Sequence, residues 1–575
     1  MQTDDKQSIY TAADAFNDAL VTAGLECVFI NSGTDYPPII ESWAKYDAKG
    51  GARPKVIVSP HEFAALSAAQ GYAQITGRAQ AVFVHVDVGT QNLGGAIHNA
   101  FRGRTPVFIF SGISPYTMEG ELHGGRTSFI QYIQNAADQA GIVRGYTKLI
   151  HEFRSGKNIQ QMTYRALQIA QSEPMGPVYL TAPFEVLDEP GTNIGADIDR
   201  WGAIAPSGLA DESVRIITEA LSKAKKPLII TSYSGRNEKC VEALVELAEM
   251  LAIPVIEAKQ QSCVNFPGDN KLHAGFDARG FIEYADVALV IDNDIPWIPA
   301  TTKPKADCRV FYIDTDPIKD HIPLWSIRAE RFMRADSYTA IRQLSGAFRS
   351  DPSLLNPAHI ELRRERIHDI HEKMRESWKY SGDGSEGYIT PEFLTACIGE
   401  VITDDTVILN ETITSGNIVD QLLPRNKPGT MYANSGSCLG WHGGAAVGMK
   451  LACPEKDVVA LTGDGSFIFS CPTAVYWMAA KYNTPFMTVI YNNQGWNAPK
   501  QISRGQYPDG FAAKSGNFHT SLAPSAQFHL IAQAAGGGFA KEVTDPKALR
   551  AALAEGRQAV KDGKTAVINV MLPPV

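Results

Sequence analysis

The sequence predicts an α/β protein built from three doubly wound parallel-sheet domains. Short apolar runs alternate with longer helical patterns along the whole chain, the mark of repeated βαβ units. The 575 residues are too many for one core, and at roughly 150 residues per domain three or four units are expected. Two polar segments mark the boundaries. One is 188–206, rich in Pro, Gly and Asp, and the other is the charged stretch 351–388.

In the first block, 1–188, the runs ECVFI (26–30), KVIVS (55–59), AVFVHV (81–86), PVFIFSG (106–112) and PVYLTAP (177–183) read as buried strands. HEFAALSAAQGYAQITG (61–77) reads as a helix between two of them. The second block, 207–350, carries strands PLIITS (227–232), PVIEA (254–258), VALVID (287–292) and VFYIDTD (310–316), with the helix VEALVELAEML (241–251) crossing between the first two. Segment 351–388 reads as a solvated helix followed by a connector. The third block, 389–575, carries TVILN (406–410), DVVALTG (457–463), FMTVIYNN (486–493) and TAVINVML (565–572).

The composition is that of a globular protein: 44% hydrophobic, 20% charged, 9% aromatic. With a net charge of −9 and no basic block, nucleic acid is not an expected partner. No apolar run reaches the ~18–20 residues of a membrane span. The start, MQTDDKQSIYTAADAF, is acidic and has no apolar signal core, so export is not expected. The eight cysteines are scattered without a Cys-x-x-Cys pair, which fits reduced thiols and a cytoplasmic location.

The third block holds Gly463-Asp464-Gly465-Ser466 at the end of one strand and, 26 residues later, Asn492-Asn493-Gln494-Gly495 at the end of another. Ligands of open parallel sheets bind outside the carboxyl ends of strands, so both halves can meet there. Asp464 offers an anionic oxygen, Asn493 an amide oxygen, and the backbone near Gly495 a carbonyl. Mg²⁺ takes six oxygens, usually shared with phosphates and water. Gly463 and Gly465 let a diphosphate approach the backbone, and a helix starting near Ser466 points N–H groups toward it.

Gly-Asp-Gly followed at this spacing by Asn-Asn resembles the signature of thiamine-diphosphate enzymes. It is similar to the branch containing benzoylformate decarboxylase, pyruvate decarboxylase, acetolactate synthase and the 2-hydroxyacyl-CoA lyases. The resemblance extends over nearly the whole chain. It implies a pyrimidine-binding domain (1–188), a central domain (207–350) and a diphosphate-binding domain (389–575). It further implies Asp464, Asn493 and the Gly495 carbonyl as Mg²⁺ ligands. Glu62, before AALSAAQGYAQITG, is similar to the glutamate that meets the cofactor's aminopyrimidine and favours its imino form; burial keeps that carboxyl protonated. Leu439 before Gly440 resembles the bulky residue that bends the cofactor, and Thr412 in Asn410-Glu411-Thr412 the hydroxyl beside the diphosphate.

On the substrate side, His85-Val86-Asp87-Val88-Gly89-Thr90-Gln91-Asn92 is similar in spacing to the benzoylformate decarboxylase segment His-Ser-Ala-Ala-Gly-Thr-Gly-Asn. His85 thereby falls where that enzyme has a proton-shuttling histidine, a role suited to imidazole. Asp87 is placed either to hold the ring or to face away by the strand period of two. Thr34, Asp35, His123, His442, Gln494, Trp496 and Asn497 are further pocket candidates. Three departures narrow the activity. The Phe-Gln-Glu segment of acetolactate synthases is replaced by Tyr132-Ile133-Gln134-Asn135-Ala136. Only His123 stands where pyruvate decarboxylases have adjacent histidines. Three residues follow TAVINVML, too few for the lid of CoA-type lyases.

The resemblance implies a thiamine-diphosphate- and Mg²⁺-dependent lyase or carboligase, foremost a 2-oxo acid decarboxylase. The alternatives are an acetolactate-synthase-like transferase, a 2-hydroxyacyl-CoA lyase and, with less support given an intact Glu62, a catalytically silent cofactor-binding subunit. The expected partners are a small 2-oxo acid, aldehyde or acyl-CoA substrate and a second copy of the chain, in a homodimer or homotetramer with shared active sites. The central block lacks G-x-G-x-x-G, so no flavin is expected there.

Overall fold

The computed structural model describes residues 9–195, 198–258, 262–382 and 384–574. The acidic start of the chain, linker positions 196 and 197 and connector position 383 lie outside them. Among the described residues each block folds around one all-parallel sheet. The first contains β1 (Cys27–Ile30), β2 (Lys55–Val58), β3 (Gln80–Val84), β4 (Val107–Ile113), β5 (Leu149–Glu152) and β6 (Val178–Pro183), in the order β2-β1-β3-β4-β6-β5. The central sheet contains β7 (Pro227–Thr231), β8 (Val255–Glu257), β9 (Val287–Ile291), β10 (Arg309–Asp314) and β11 (Arg331–Arg334), in the order β11-β10-β9-β7-β8. The third contains β12 (Val407–Glu411), β13 (Met431–Ala433), β14 (Val458–Gly463), β15 (Met487–Asn492), β16 (Phe539–Val543) and β17 (Ala566–Met571), in the order β13-β12-β14-β15-β17-β16.

Interior strands such as β9 and β15 are buried along their whole length. Helices cover both faces of each sheet, so these strands read as continuous apolar runs. Four strands were not expected: β5, β11 and β16, which have no such run, and β13, whose run is only three residues long. Each lies at a sheet edge. Three of them, LIHE, RFMR and FAKEV, mix charged with apolar residues, because an edge is only partly covered.

Two expectations change. AVFVHV does not run to Val86 as a strand: β3 stops at Val84, and His85 precedes the helix Val86–Arg102. Val86 has φ +31°, strained for a β-branched residue. The segment after the central block is a helix, Pro357–Trp378, that is anchored rather than merely solvated. Arg363 is buried and donates to the carbonyls of Leu251 (2.8 Å), Leu221 (3.0 Å) and Ala224, at the carboxyl ends of helices Asp211–Lys223 and Glu238–Leu251.

The first and third blocks meet through the helices Glu62–Thr76 and Trp441–Ala452, which run in the same direction. Alanine and glycine fill the contact. A Cβ on Gly448 would overlap the Ala68 carbonyl oxygen, and one on Gly71 would overlap the Ala445 backbone. The amino ends of both helices therefore lie at the same end of the contact. Arg104, from the first block, enters the carboxyl end of the central sheet and bonds Asp314 (2.7 Å) and Tyr233 (2.5 Å). Among the described residues no helix is long and apolar enough to cross a membrane.

Candidate active site

The two halves of the Gly-Asp-Gly…Asn-Asn motif meet at neighbouring strand ends. β14 pairs with β15, Gly463 lying opposite Tyr491, so Asp464 and Asn493 leave the sheet side by side. The helix after Gly463 begins at Asp464 and runs to Phe469. Asp464 is buried, and its Oδ2 has no partner. Burial pushes its pKa above the ordinary carboxylate value, and the N–H groups of Gly465, Gly495 and Gln494 only partly offset this. A buried carboxylate oxygen left open beside two amide-bearing loops is the donor set a hard cation takes. Asn493 is half-buried and accepts from the Gly495 N–H (3.2 Å). Asn492 is scaffold instead: its side chain is buried and bonds Ser525 (2.8 Å) and Asn569 (3.0 Å). A Cβ on Gly463 would meet only open space, so the backbone there is accessible. Ser466 is buried on the same short helix.

Beside this edge, the turn before helix Trp441–Ala452 is held by one carboxylate. Glu411, at the end of β12, accepts the N–H groups of Gly440 (3.0 Å), Trp441 (3.2 Å) and His442 (3.1 Å), and the Asn434 amide (3.0 Å). Gly440 cannot cap the helix with a side chain, so the acid supplies the cap from the neighbouring strand. Gly440 has φ +96°, and a Cβ there would run into the Phe469 backbone. Leu439, one residue earlier, is half-buried and outside every hydrophobic core cluster. Thr412 is buried and its hydroxyl donates to Asn410 Oδ1 (2.8 Å).

Glu62 opens its helix after β2, behind the cap His61, whose Nδ1 accepts the Phe63 N–H (3.1 Å). The Glu62 carboxyl is 5% exposed and accepts from Asn92 Nδ2 (3.1 Å). Glu62 also looks toward the third block: the Cys471 thiol is pushed up by burial and further by Glu62.

His85 is gripped at both ring nitrogens. Nδ1 lies 2.5 Å from Asp35 Oδ1, and Nε2 lies 2.9 Å from Gln134 Oε1. Burial alone would lower its pKa, but the Asp35 carboxylate, with help from Gln134 and Asp87, raises it. The acid on the ring is thus Asp35, not Asp87, whose nearest partner is Gln91 at 3.5 Å. Thr34, Asp35, His85, Ile113, Ser114 and Gln134 line one small cavity. His123 is not part of it; its side chain is 81% exposed and pairs with Asp188 at 2.7 Å. His442 is wholly buried against Glu411 (2.6 Å). Gln494, Trp496 and Asn497 follow Asn493 along the rim of the Asp464 site, and Trp496 is exposed. Sequence reasoning missed the cap formed by Glu411 and the contact of Gln134 with His85. The only signal for the first is a strand-end acid ahead of a helix that starts on glycine.

Two family models match. "Thiamine pyrophosphate enzyme, N-terminal TPP binding domain" covers residues 10–142, and "Thiamine pyrophosphate enzyme, C-terminal TPP binding domain" covers 412–570. The chain belongs to the thiamine-diphosphate-dependent enzyme family. It is 25% identical to a benzoylformate decarboxylase of Pseudomonas aeruginosa over 495 residues, covering 85% of this chain and 87% of that protein. It is also 25% identical to a 2-hydroxyacyl-CoA lyase of Arabidopsis thaliana over 537 residues, covering 90% and 89%. Its fold matches the solved thiamine-diphosphate-dependent 4-hydroxybenzoylformate decarboxylase of Rhodococcus jostii RHA1 with a TM-score of 0.79, at 21% identity, over 98% of this chain and 99% of that one. The chain is therefore a thiamine-diphosphate enzyme of the decarboxylase, acetolactate synthase and lyase group.

Proposed function

We propose that this thiamine-diphosphate enzyme is Mg²⁺-dependent and decarboxylates a small 2-oxo acid to CO₂ and the corresponding aldehyde. The observation that carries the reading is the contact of His85 Nδ1 with Asp35 Oδ1 (2.5 Å) at the carboxyl edge of the first sheet, which suits His85 to carry a proton. The likeness to a benzoylformate decarboxylase favours the same reading. Conversion of a 2-oxo acid to an aldehyde consumes one proton, and a histidine with a raised pKa is suited to donate it.

The residues present fit the cofactor, because the open Oδ2 of Asp464 is a cation ligand in waiting. Asp464, Asn493 and the Gly495 carbonyl would hold Mg²⁺. Gly463, Gly465, Ser466 and Thr412 would hold the diphosphate, and Glu62 the pyrimidine. Leu439, next to Gly440 and the turn capped by Glu411, would contact the cofactor. Thiamine diphosphate, when bound, would supply a nucleophilic carbon and an electron sink for cleavage of a C–C bond beside a carbonyl. The chain's own work is to keep the Glu62 carboxyl buried, to orient the cation and to keep a proton on His85.

The assembly is a homodimer or homotetramer in which Glu62 of one chain serves the Asp464 site of another. Apolar side chains at the rim of that site support it: Ile413, Ile468 and Phe469 are about half exposed.

The test is a panel of 2-oxo acids and 2-hydroxyacyl-CoAs with thiamine diphosphate and Mg²⁺. CO₂ and aldehyde from the 2-oxo acids bear the proposal out. Cleavage of the CoA esters alone, or joining of two 2-oxo acids into an acetohydroxy acid, replaces it with the lyase or the transferase.

A further inference from the structure

We propose that Asp35 is a positioning residue which, with Gln134, holds His85 as an imidazolium and so keeps the proton of Nε2 ready for delivery. The inference rests on the reading of His85 as the proton donor. Both ring nitrogens face oxygens: Nδ1 faces Asp35 Oδ1 at 2.5 Å, and Nε2 faces Gln134 Oε1 at 2.9 Å. A neutral imidazole has one N–H, and only the cation can donate to two acceptors at once. Gln134 is itself placed, since Ser114 Oγ donates to its backbone carbonyl (2.9 Å).

The surroundings are shaped for this pair. A Cβ on Gly33 would overlap His85 Nδ1, and a Cβ on Gly112 would overlap Asp35 Oδ2. Two strand-end positions thus lack side chains where ring and carboxylate need the room. Asp35 is 8% exposed, and its Oδ2 has no partner. For folding alone this is a poor arrangement, because a half-satisfied buried carboxylate costs stability. It is useful if the charge has to act on His85. The charged groups that act on the ring are Asp35, after β1, and Asp87, on the helix that His85 precedes. The other cavity-lining residues, from Thr34, Ile113, Ser114, Pro115, Gln131 and Phe184, carry no charge. To deliver its proton, the Nε2–H bond breaks with its electron pair left on nitrogen, and Gln134 gives up its contact. Asp35 keeps Nδ1–H throughout, so the ring is left in the single tautomer that can be reprotonated at Nε2.

The experiment is an NMR titration of the full chain with ring-labelled histidine and no added cofactor, the His85 signal being assigned by its loss in His85→Gln. In the wild type the midpoint lies above the ordinary ~6.5, and below it both ring nitrogens report as protonated. In Asp35→Asn the midpoint falls by at least about one pH unit, the size of losing a contacting opposite charge. Gly33→Ala, which pushes the ring away while keeping the carboxylate, lowers it as well. Equal midpoints in wild type and Asp35→Asn overturn the proposal. If Asp35→Asn does not fold, a wild-type ring that is neutral at pH 6 overturns it equally. Undiminished aldehyde formation by His85→Ala overturns the delivery role even if the midpoint falls, whereas a wild type that releases neither CO₂ nor aldehyde from any 2-oxo acid is failure of the proposed function and is read separately.

Discussion

Gly448 of the third block lies directly on the backbone of Ala68 in the first, close enough that any side chain at 448 would overlap the Ala68 carbonyl oxygen. This contact sets the spacing, within one chain, of the helices that begin at Glu62 and Trp441. Gly448→Ala should therefore destabilise the protein by about 1–3 kcal/mol, although alanine is the better helix former. Gly346 sits inside the helix Ser337–Ser350 with nothing near its would-be Cβ. Gly346→Ala should raise stability by roughly 0.5–1 kcal/mol. Thermal melts of the two variants check the pair, and a Gly448→Ala protein as stable as the wild type contradicts the packing argument.

Glu62→Gln should lower kcat by more than tenfold while thiamine diphosphate and Mg²⁺ still bind. The substitution keeps the shape and the Asn92 contact but removes the titratable proton. Steady-state kinetics beside cofactor calorimetry decide it. Retention of more than about a tenth of kcat, a loss under ~1.4 kcal/mol, would end the relay role.

How much of this was legible differs by residue. The interior strands and both halves of the Asp464–Asn493 motif are local: an apolar run ending in glycine or asparagine reads the same in sequence and in space. The edge strands β5, β11 and β16 are not, because a half-covered edge keeps charged residues that hide the run. His85 was singled out by the resemblance of its segment, through Gly89 and Asn92, to that of benzoylformate decarboxylase, and it lines a small cavity with Asp35. Its partner on Nδ1 was not legible, since Asp35 is 50 residues away and nearby Asp87 is the more obvious acid. Glu411 was legible as a strand-end residue, but its cap on a helix 30 positions later depends on how β12 and the Trp441 helix pack. Arg363 looked solvated because the carbonyls it serves belong to other helices.

The stabilising contribution of the Asp35–His85 pair should depend on pH in one direction. The folded-state pKa of His85 is raised. Its contribution is then fully present below the unfolded value near ~6.5 and is lost as pH rises through the folded value. The difference in Tm between wild type and Asp35→Asn should thus be larger at pH 6 than at pH 9. A difference that grows toward pH 9 runs against this sign.

Mixing inactive Glu62→Gln chains with inactive Asp464→Ala chains should restore part of the activity. In a mixed dimer with shared sites, one site carries both lesions and the other neither. Mass spectrometry verifies exchange; exchanged but inactive mixtures rule out the sharing.

The most direct test of the account is the affinity of Asp464→Ala for thiamine diphosphate, titrated by calorimetry with and without Mg²⁺. Asp464 supplies the open carboxylate oxygen at the junction of β14 and β15. The account predicts that the wild type binds thiamine diphosphate tightly only with Mg²⁺, and that the variant loses metal and cofactor together. Unchanged, Mg²⁺-dependent binding by Asp464→Ala would contradict it.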